Sequence, residues 1–236
     1  MVWSIAINEL KSSLLQEEQI ALRSCKKNRK GNKKMKILVT GFDPFGGEKI
    51  NPSYEAVKGL PDRIGDAEII KMEIPTVRYR SVDVLSEKIE EIWPDAVISV
   101  GQAGGANAIR LERVAVNLDD YRIPDNDGNQ PVDTPIYVGG PSAYFSTLPI
   151  KAIRDALVDK GMAAEISNSA GLFVCNHVFY SVRHLCDTKY AGKGIISGFI
   201  HVPFIPEQTL GKPEVPSMPL EDIVKALVTA VEVAAG

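Results

Sequence analysis

From residue 35 onward, short apolar runs alternate with longer stretches whose apolar side chains recur every three or four positions. The runs at 35–40, 67–74, 96–100, 163–167 and 194–201 predict buried strands. The first ends at Gly41, and the last is broken by Pro203. The periodic stretches predict helices. One covers 52–60, with Asn51 as N-cap and Pro52 at the first helical position. A second covers 79–93, where Val82, Val84, Leu85, Ile89 and Ile92 share a face until Pro94 stops it. Three more are expected at 150–160, 172–190 and 220–235. Such alternation predicts an α/β fold with a mostly parallel, twisted sheet and helices on both faces. Sites in such sheets gather at the carboxyl ends of the strands. The stretch 119–149 is rich in Asp, Asn, Gly and Pro and reads as a long excursion. Loops of that length are usually functional or form oligomer contacts.

Length and composition narrow the picture. The 236 residues suit one large domain, with 44% hydrophobic and 24% charged residues as in ordinary globular proteins. The charge is uneven: residues 1–34 hold eight basic and three acidic side chains, whereas the formal net charge of the whole chain is −3. The basic run at 26–34 suits an arm, or translated sequence upstream of a start at Met35, so 35–236 is expected to form the folded unit. The overall charge gives no reason to expect nucleic acid as a partner. No apolar run reaches the roughly 18 residues of a membrane span. Residues 1–22 are interrupted by Glu9, Lys11, Glu17 and Glu18, so neither a span nor an export signal is read there and the expected compartment is the cytoplasm. Three cysteines, Cys25, Cys175 and Cys186, argue against a disulfide framework.

Cys175 lies where a strand and turn pass into a helix. A thiol in the first turn of a helix faces unpaired N–H groups and the positive end of the dipole, which favour the reactive thiolate. A buried, inert cysteine gives the same pattern. Three histidines are available as partners. His177 lies about 200° and His184 about 180° around the same helix from Cys175, so neither reaches the thiol. They offer no third ligand at metal spacing and read as packing or surface residues. His201 stands at the carboxyl end of another strand, where a base would meet a nucleophile at a neighbouring turn, although a satisfied core histidine also fits. Cys186 is three helical turns, about 16 Å, from Cys175 and reads as core.

Several spaced motifs carry a family resemblance. They are Gly41-Phe42-Asp43-Pro44-Phe45-Gly46-Gly47 with Asn51-Pro52-Ser53, Gly101-Gln102-Ala103-Gly104-Gly105, and Glu112-Arg113-Val114-Ala115-Val116-Asn117. Asp125-Asn126-Asp127-Gly128-Asn129-Gln130-Pro131, Ser169-Ala170-Gly171 through Phe173-Val174-Cys175-Asn176, and His201-Val202-Pro203 follow in order. Over 35–236 the chain resembles the pyroglutamyl peptidase I family of cysteine peptidases. The resemblance implies a three-layer α/β/α sandwich and a catalytic triad of Glu112, Cys175 and His201. It places Phe42, Phe45, Gln102, Arg122, Ile123, Phe173 and Val174 at the substrate. It implies peptides with an N-terminal pyroglutamyl residue as substrates, no metal or other cofactor, and a homotetramer. One departure is visible: Ala106 stands where the family usually has Arg after the Gly-Gly pair, with Arg110 and Arg113 as candidates to compensate.

Two rivals are weighed against this reading. A phosphate-dependent nucleoside phosphorylase would share the architecture, but neither Gly-x-Gly-x-x-Gly nor Gly-x-x-x-x-Gly-Lys-Ser/Thr occurs. A binding protein without catalysis would not need the Cys, His and Glu set.

Overall fold

The computed structural model describes residues 34–236; the expectations for the leader fall on residues outside these. Strand β1 (Lys36–Phe42) is followed by helix α1 (Pro52–Lys58), strands β2 (Arg63–Ile64) and β3 (Ala67–Ile74), and helix α2 (Arg80–Ile92). Then come β4 (Ala96–Gln102), β5 (Ile109–Glu112), β6 (Val114–Val116), β7 (Ala143–Phe145) and α3 (Ile150–Asp159). The chain ends with β8 (Ala164–Ser167), α4 (Val174–Asp187), β9 (Ile196–Val202), a short 3-10 turn and α5 (Leu220–Ala235).

Seven strands form one sheet in the order β2-β3-β1-β4-β9-β5-β8. β3, β1, β4 and β9 run parallel, β5 is antiparallel to β9 and parallel to β8, and β2 is an antiparallel edge strand. Strand alternation divides the core in two. Ile37, Val39, Ile98, Val100, Leu111 and Ile200 pack with residues of α1, α3 and α5. Leu38, Phe42, Val97 and Phe199 face the opposite layer, which holds α2 and α4. The result is the expected α/β/α sandwich.

Local chemistry fixes the strand ends near the future site. Asn51 caps α1 by accepting from the Ser53 N–H at 3.1 Å, and Ser53 Oγ accepts from the Phe42 N–H at 3.0 Å. The end of β1 is thereby tied to the start of α1. Gly41 permits that approach, since a Cβ there would stand 2.5 Å from both Cα and N of Tyr54. Helix α2 stops at Trp93, which takes a left-handed conformation before Pro94. The long excursion from 119 to 149 contains one strand, β7, which pairs antiparallel with β6.

Candidate active site

The carboxyl ends of β4 and β9 lie side by side, with Gly101 paired to His201. Alternation turns both residues toward the layer containing α4. A Cβ on Gly101 would stand 2.9 Å from Cys175 Sγ and 2.8 Å from the Phe199 ring, so glycine leaves the space that the thiol occupies. With Cys175 as the expected nucleophile, Gly101→Ala is expected to lower turnover about a hundredfold while the protein stays folded, because displacing a reacting atom by an ångström has effects of that order. Slower alkylation of Cys175, with an unchanged circular dichroism spectrum, would accompany that loss.

Glu112 reaches His201 from below. Antiparallel pairing sets Glu112 opposite Phe199, two residues before His201, so the carboxylate and imidazole are diagonal neighbours on one face. The His201 Nδ1 to Glu112 Oε1 distance is 2.8 Å, and both side chains are buried. Glu112 Oε2 has no hydrogen-bond partner among the described residues. Burial acts against a charge on His201, but the Cys175 sulfur, hydrogen-bonded to the imidazole, and the Glu112 carboxylate outweigh it and push its pKa up to about 9. With Nδ1 on Glu112, Nε2 is left for the sulfur. The structure thus brings together Cys175, His201 and Glu112.

Cys175 is the second residue of α4 and is half-buried. Among the described residues no side chain caps this helix, so the amide N–H groups of its first turn are left without a side-chain cap. Asn176, fully buried, accepts from the Val116 N–H at 3.0 Å and donates to the Val116 and Leu118 carbonyls at 2.9 Å. It joins the start of α4 to the chain that follows Glu112, a role that sequence reading missed.

A cavity of about 260 Å³ is lined by Phe45, Asp120, Arg122, Ile123, Leu172 and Phe173. The Phe45 and Phe173 rings lie 5.8 Å apart, and Tyr121 packs edge-on to Phe173 at 4.7 Å. The Arg122 guanidinium is exposed and has no hydrogen bond or ion pair among the described residues.

Three further residues expected at the substrate pack as follows. Phe42 is 2% exposed and packs on Phe199 at 6.2 Å, and Phe199 in turn lies 4.8 Å from the His201 ring. Val174 is fully buried in the same core and does not line the cavity. Gln102 follows Gly101 on the strand, and alternation sends its side chain to the opposite layer. There its Oε1 accepts from Gln208 Nε2 at 2.8 Å.

The remaining histidines are buried or packed. His177, 1% exposed, lies 2.8 Å from Asp119 through Nδ1 and accepts the Tyr79 N–H through Nε2 at 3.3 Å. Arg78 Nε donates to the same Asp119 oxygen at 2.7 Å. Of the packing or surface roles expected for His177, the structure shows a packed one, within a buried ionic group. His184 stacks among Tyr137, Tyr144 and Tyr180. Among the described residues no cluster of three or more His, Cys, Asp or Glu side chains suits a metal ion. Ala106 is buried, Arg110 pairs with Glu165 at 2.7 Å, and Arg113 Nε is buried without a partner among the described residues.

With that geometry in hand, comparison with known proteins is decisive. Residues 35–236 match the family model described as Pyroglutamyl peptidase. The chain belongs to the pyroglutamyl peptidase family. It is 57% identical over 198 residues to a pyrrolidone-carboxylate peptidase of Fusobacterium nucleatum, covering 84% of this chain and 92% of that one. It is 59% identical over 193 residues to a pyrrolidone-carboxylate peptidase of Clostridium perfringens, covering 82% and 90%. The crystal structure of pyroglutamyl peptidase I from Bacillus amyloliquefaciens superposes with a TM-score of 0.82 at 50% identity, covering 85% of this chain and 97% of that one. A mutant pyrrolidone carboxyl peptidase from the hyperthermophile Pyrococcus furiosus gives 0.80 at 51% identity, covering 85% and 98%. Within this family fold, the sandwich and the cluster at the ends of β4 and β9 form one coherent unit.

Proposed function

We propose that the protein is a pyroglutamyl peptidase I, a cysteine peptidase that hydrolyses the amide bond after an N-terminal pyroglutamyl residue. The observation that carries this reading is the Cys175–His201–Glu112 contact chain at the sheet's carboxyl edge. Cys175 thiolate attacks the acyl carbon, forming a C–S bond and a tetrahedral oxyanion. The Cys175 N–H at the start of α4 and the free Arg122 guanidinium are the donors proposed for that oxyanion. His201 imidazolium gives its proton to the leaving amine as the C–N bond breaks. Water then attacks the thioester with His201 as base, which releases pyroglutamate and restores the thiolate. Glu112 orients the imidazole and supports its positive charge.

The lactam ring of pyroglutamate is flat and neutral, which suits a slot with apolar walls and few polar partners. Phe45, Ile123 and Phe173 supply those walls. Release of a chromophore from a pyroglutamyl amide, blocked by a thiol alkylator, tests the reading. Phosphate-dependent release of a nucleobase would favour a phosphorylase, and ligand binding without turnover a binding protein. Phe45→Ala is expected to raise KM about tenfold with kcat changed less, because burying a ring contributes similarly to ground and transition states. Free pyroglutamate is expected to compete with substrate far better than proline, which lacks the lactam carbonyl. Unchanged KM in Phe45→Ala would remove this ring from recognition.

Association into a homo-oligomer belongs to the same reading. Val138 is 93% and Phe145 67% exposed on the excursion and β7, apolar surface that assembly would cover. No helix among the described residues is long and apolar enough to cross a membrane. The proposed substrates are peptides in the cytoplasm.

A further inference from the structure

The Asp125–Gln130 run, prominent in the sequence, builds a tight turn beside the cavity. The Asp125 carboxylate accepts the N–H groups of Arg78 at 2.8 Å, Asp127 at 3.0 Å and Asn129 at 2.8 Å, together with the Asn129 side-chain amide. Gly128, at φ +85°, closes the turn by donating to the Asp125 carbonyl at 3.0 Å. Burial acts against the Asp125 charge, yet the donated hydrogen bonds prevail and hold its pKa below the usual value.

The turn presents Asn126 to the loop that carries Phe45. Asn126 Nδ2 donates to the Pro44 carbonyl at 2.9 Å and to Asp43 Oδ1 at 3.2 Å. Its backbone N–H donates to the Thr76 carbonyl at 3.1 Å, and the Thr76 N–H donates to the same Asp43 oxygen at 2.6 Å. Beyond Phe45 the loop runs through Gly46 and Gly47, both at positive φ, and stays exposed as far as Lys49. Ile123, on the facing wall, lies three residues before Asn126 on the same chain segment. One side-chain amide therefore bridges the loop bearing Phe45 and the segment bearing Ile123.

We infer that Asn126 is a positioning residue that sets the separation of these two walls, and with it the width of the slot for a flat five-membered ring. The inference rests on the proposed pyroglutamyl specificity. Asn126 touches neither the thiol nor the imidazole, so its loss acts on binding through Phe45 and Ile123. In Asn126→Ala, KM for a pyroglutamyl amide is expected to rise about tenfold and kcat to change less than about threefold. Tryptic cleavage after Lys49 should speed up in parallel. In Asn126→Asp a carboxylate would face the Pro44 carbonyl and the Asp43 carboxylate. Its KM at pH 8 should exceed that of Asn126→Ala, and the ratio to wild type should narrow as pH is lowered toward about 4, where a carboxyl takes up a proton and can donate again.

The inference is overturned if both variants keep wild-type KM, if kcat falls as far as KM rises with a matching loss of Tm, or if Asn126→Asp is no worse than Asn126→Ala at pH 8. Failure of the wild type to cleave pyroglutamyl amides would sink the proposed function instead. The tryptic comparison at Lys49 still decides the bridge in that event, since it needs no turnover.

Discussion

Replacing Cys175 with serine or alanine is expected to abolish hydrolysis of a pyroglutamyl amide, by roughly five to six orders of magnitude, the scale for removing the nucleophile of a catalytic unit. The fold should survive, because Cys175 is only half-buried and makes no disulfide among the described residues. Serine fails as a substitute because its hydroxyl ionises far less readily than a thiol. The control is Cys186. It lies in the core of the same layer, where burial pushes its thiol pKa up, and its sulfur accepts only a 3.7 Å contact from Ser197 Oγ. Cys186→Ser should keep wild-type turnover, and alkylation with loss of activity should map to Cys175. Labelling of Cys186 with the same loss would overturn the assignment.

Why these residues could be named from sequence, and others not, follows from the physics of each element. Cys175 and His201 stand at strand–helix and strand–loop junctions, which periodicity and glycine punctuation mark well. The nearby helix starts were equally legible: Asn51-Pro52 announces α1, and the N-cap bond is present. β5 was not legible. It is four residues long, and its alternation of Ile109 and Leu111 with Arg110 and Glu112 is too short to stand out as a strand. Its antiparallel direction was hidden with it, so Glu112 was named through family resemblance alone. The pairing register supplies the physical reason that resemblance lacked, a diagonal contact to His201. Gln102 shows what alternation adds to a motif. Its neighbour Gly101 belongs beside the thiol, but a period of two sends the next side chain to the other layer. His177 and Asp119 are 58 residues apart, and only the folded chain pairs them.

The second large effect concerns His201 and Glu112. His201→Ala is expected to lower turnover about 10⁴-fold or more, since it removes both the partner of the thiolate and the proton donor to the leaving amine. Glu112→Gln is expected to cost between about 10² and 10⁴, because the amide keeps the shape while withdrawing the charge and offering an NH₂ group toward Nδ1. The sign of the pH dependence follows from His201. Its pKa is raised from the ordinary 6.5 to about 9, so the imidazolium is held through neutral pH and is lost as pH climbs past that value. The proton needed by the leaving amine disappears with it. Turnover should therefore fall on an alkaline limb near pH 9, not near 6.5. Cys175→Ala removes the sulfur that raises the imidazole pKa, and Glu112→Gln removes the carboxylate. In either variant the His201 ring signals, followed by NMR, should titrate at lower pH than in wild type. An imidazole that titrates at the same pH in all three proteins would show that neither group bears on it. Near-wild-type kcat/KM in Glu112→Gln would take that carboxylate out of the mechanism.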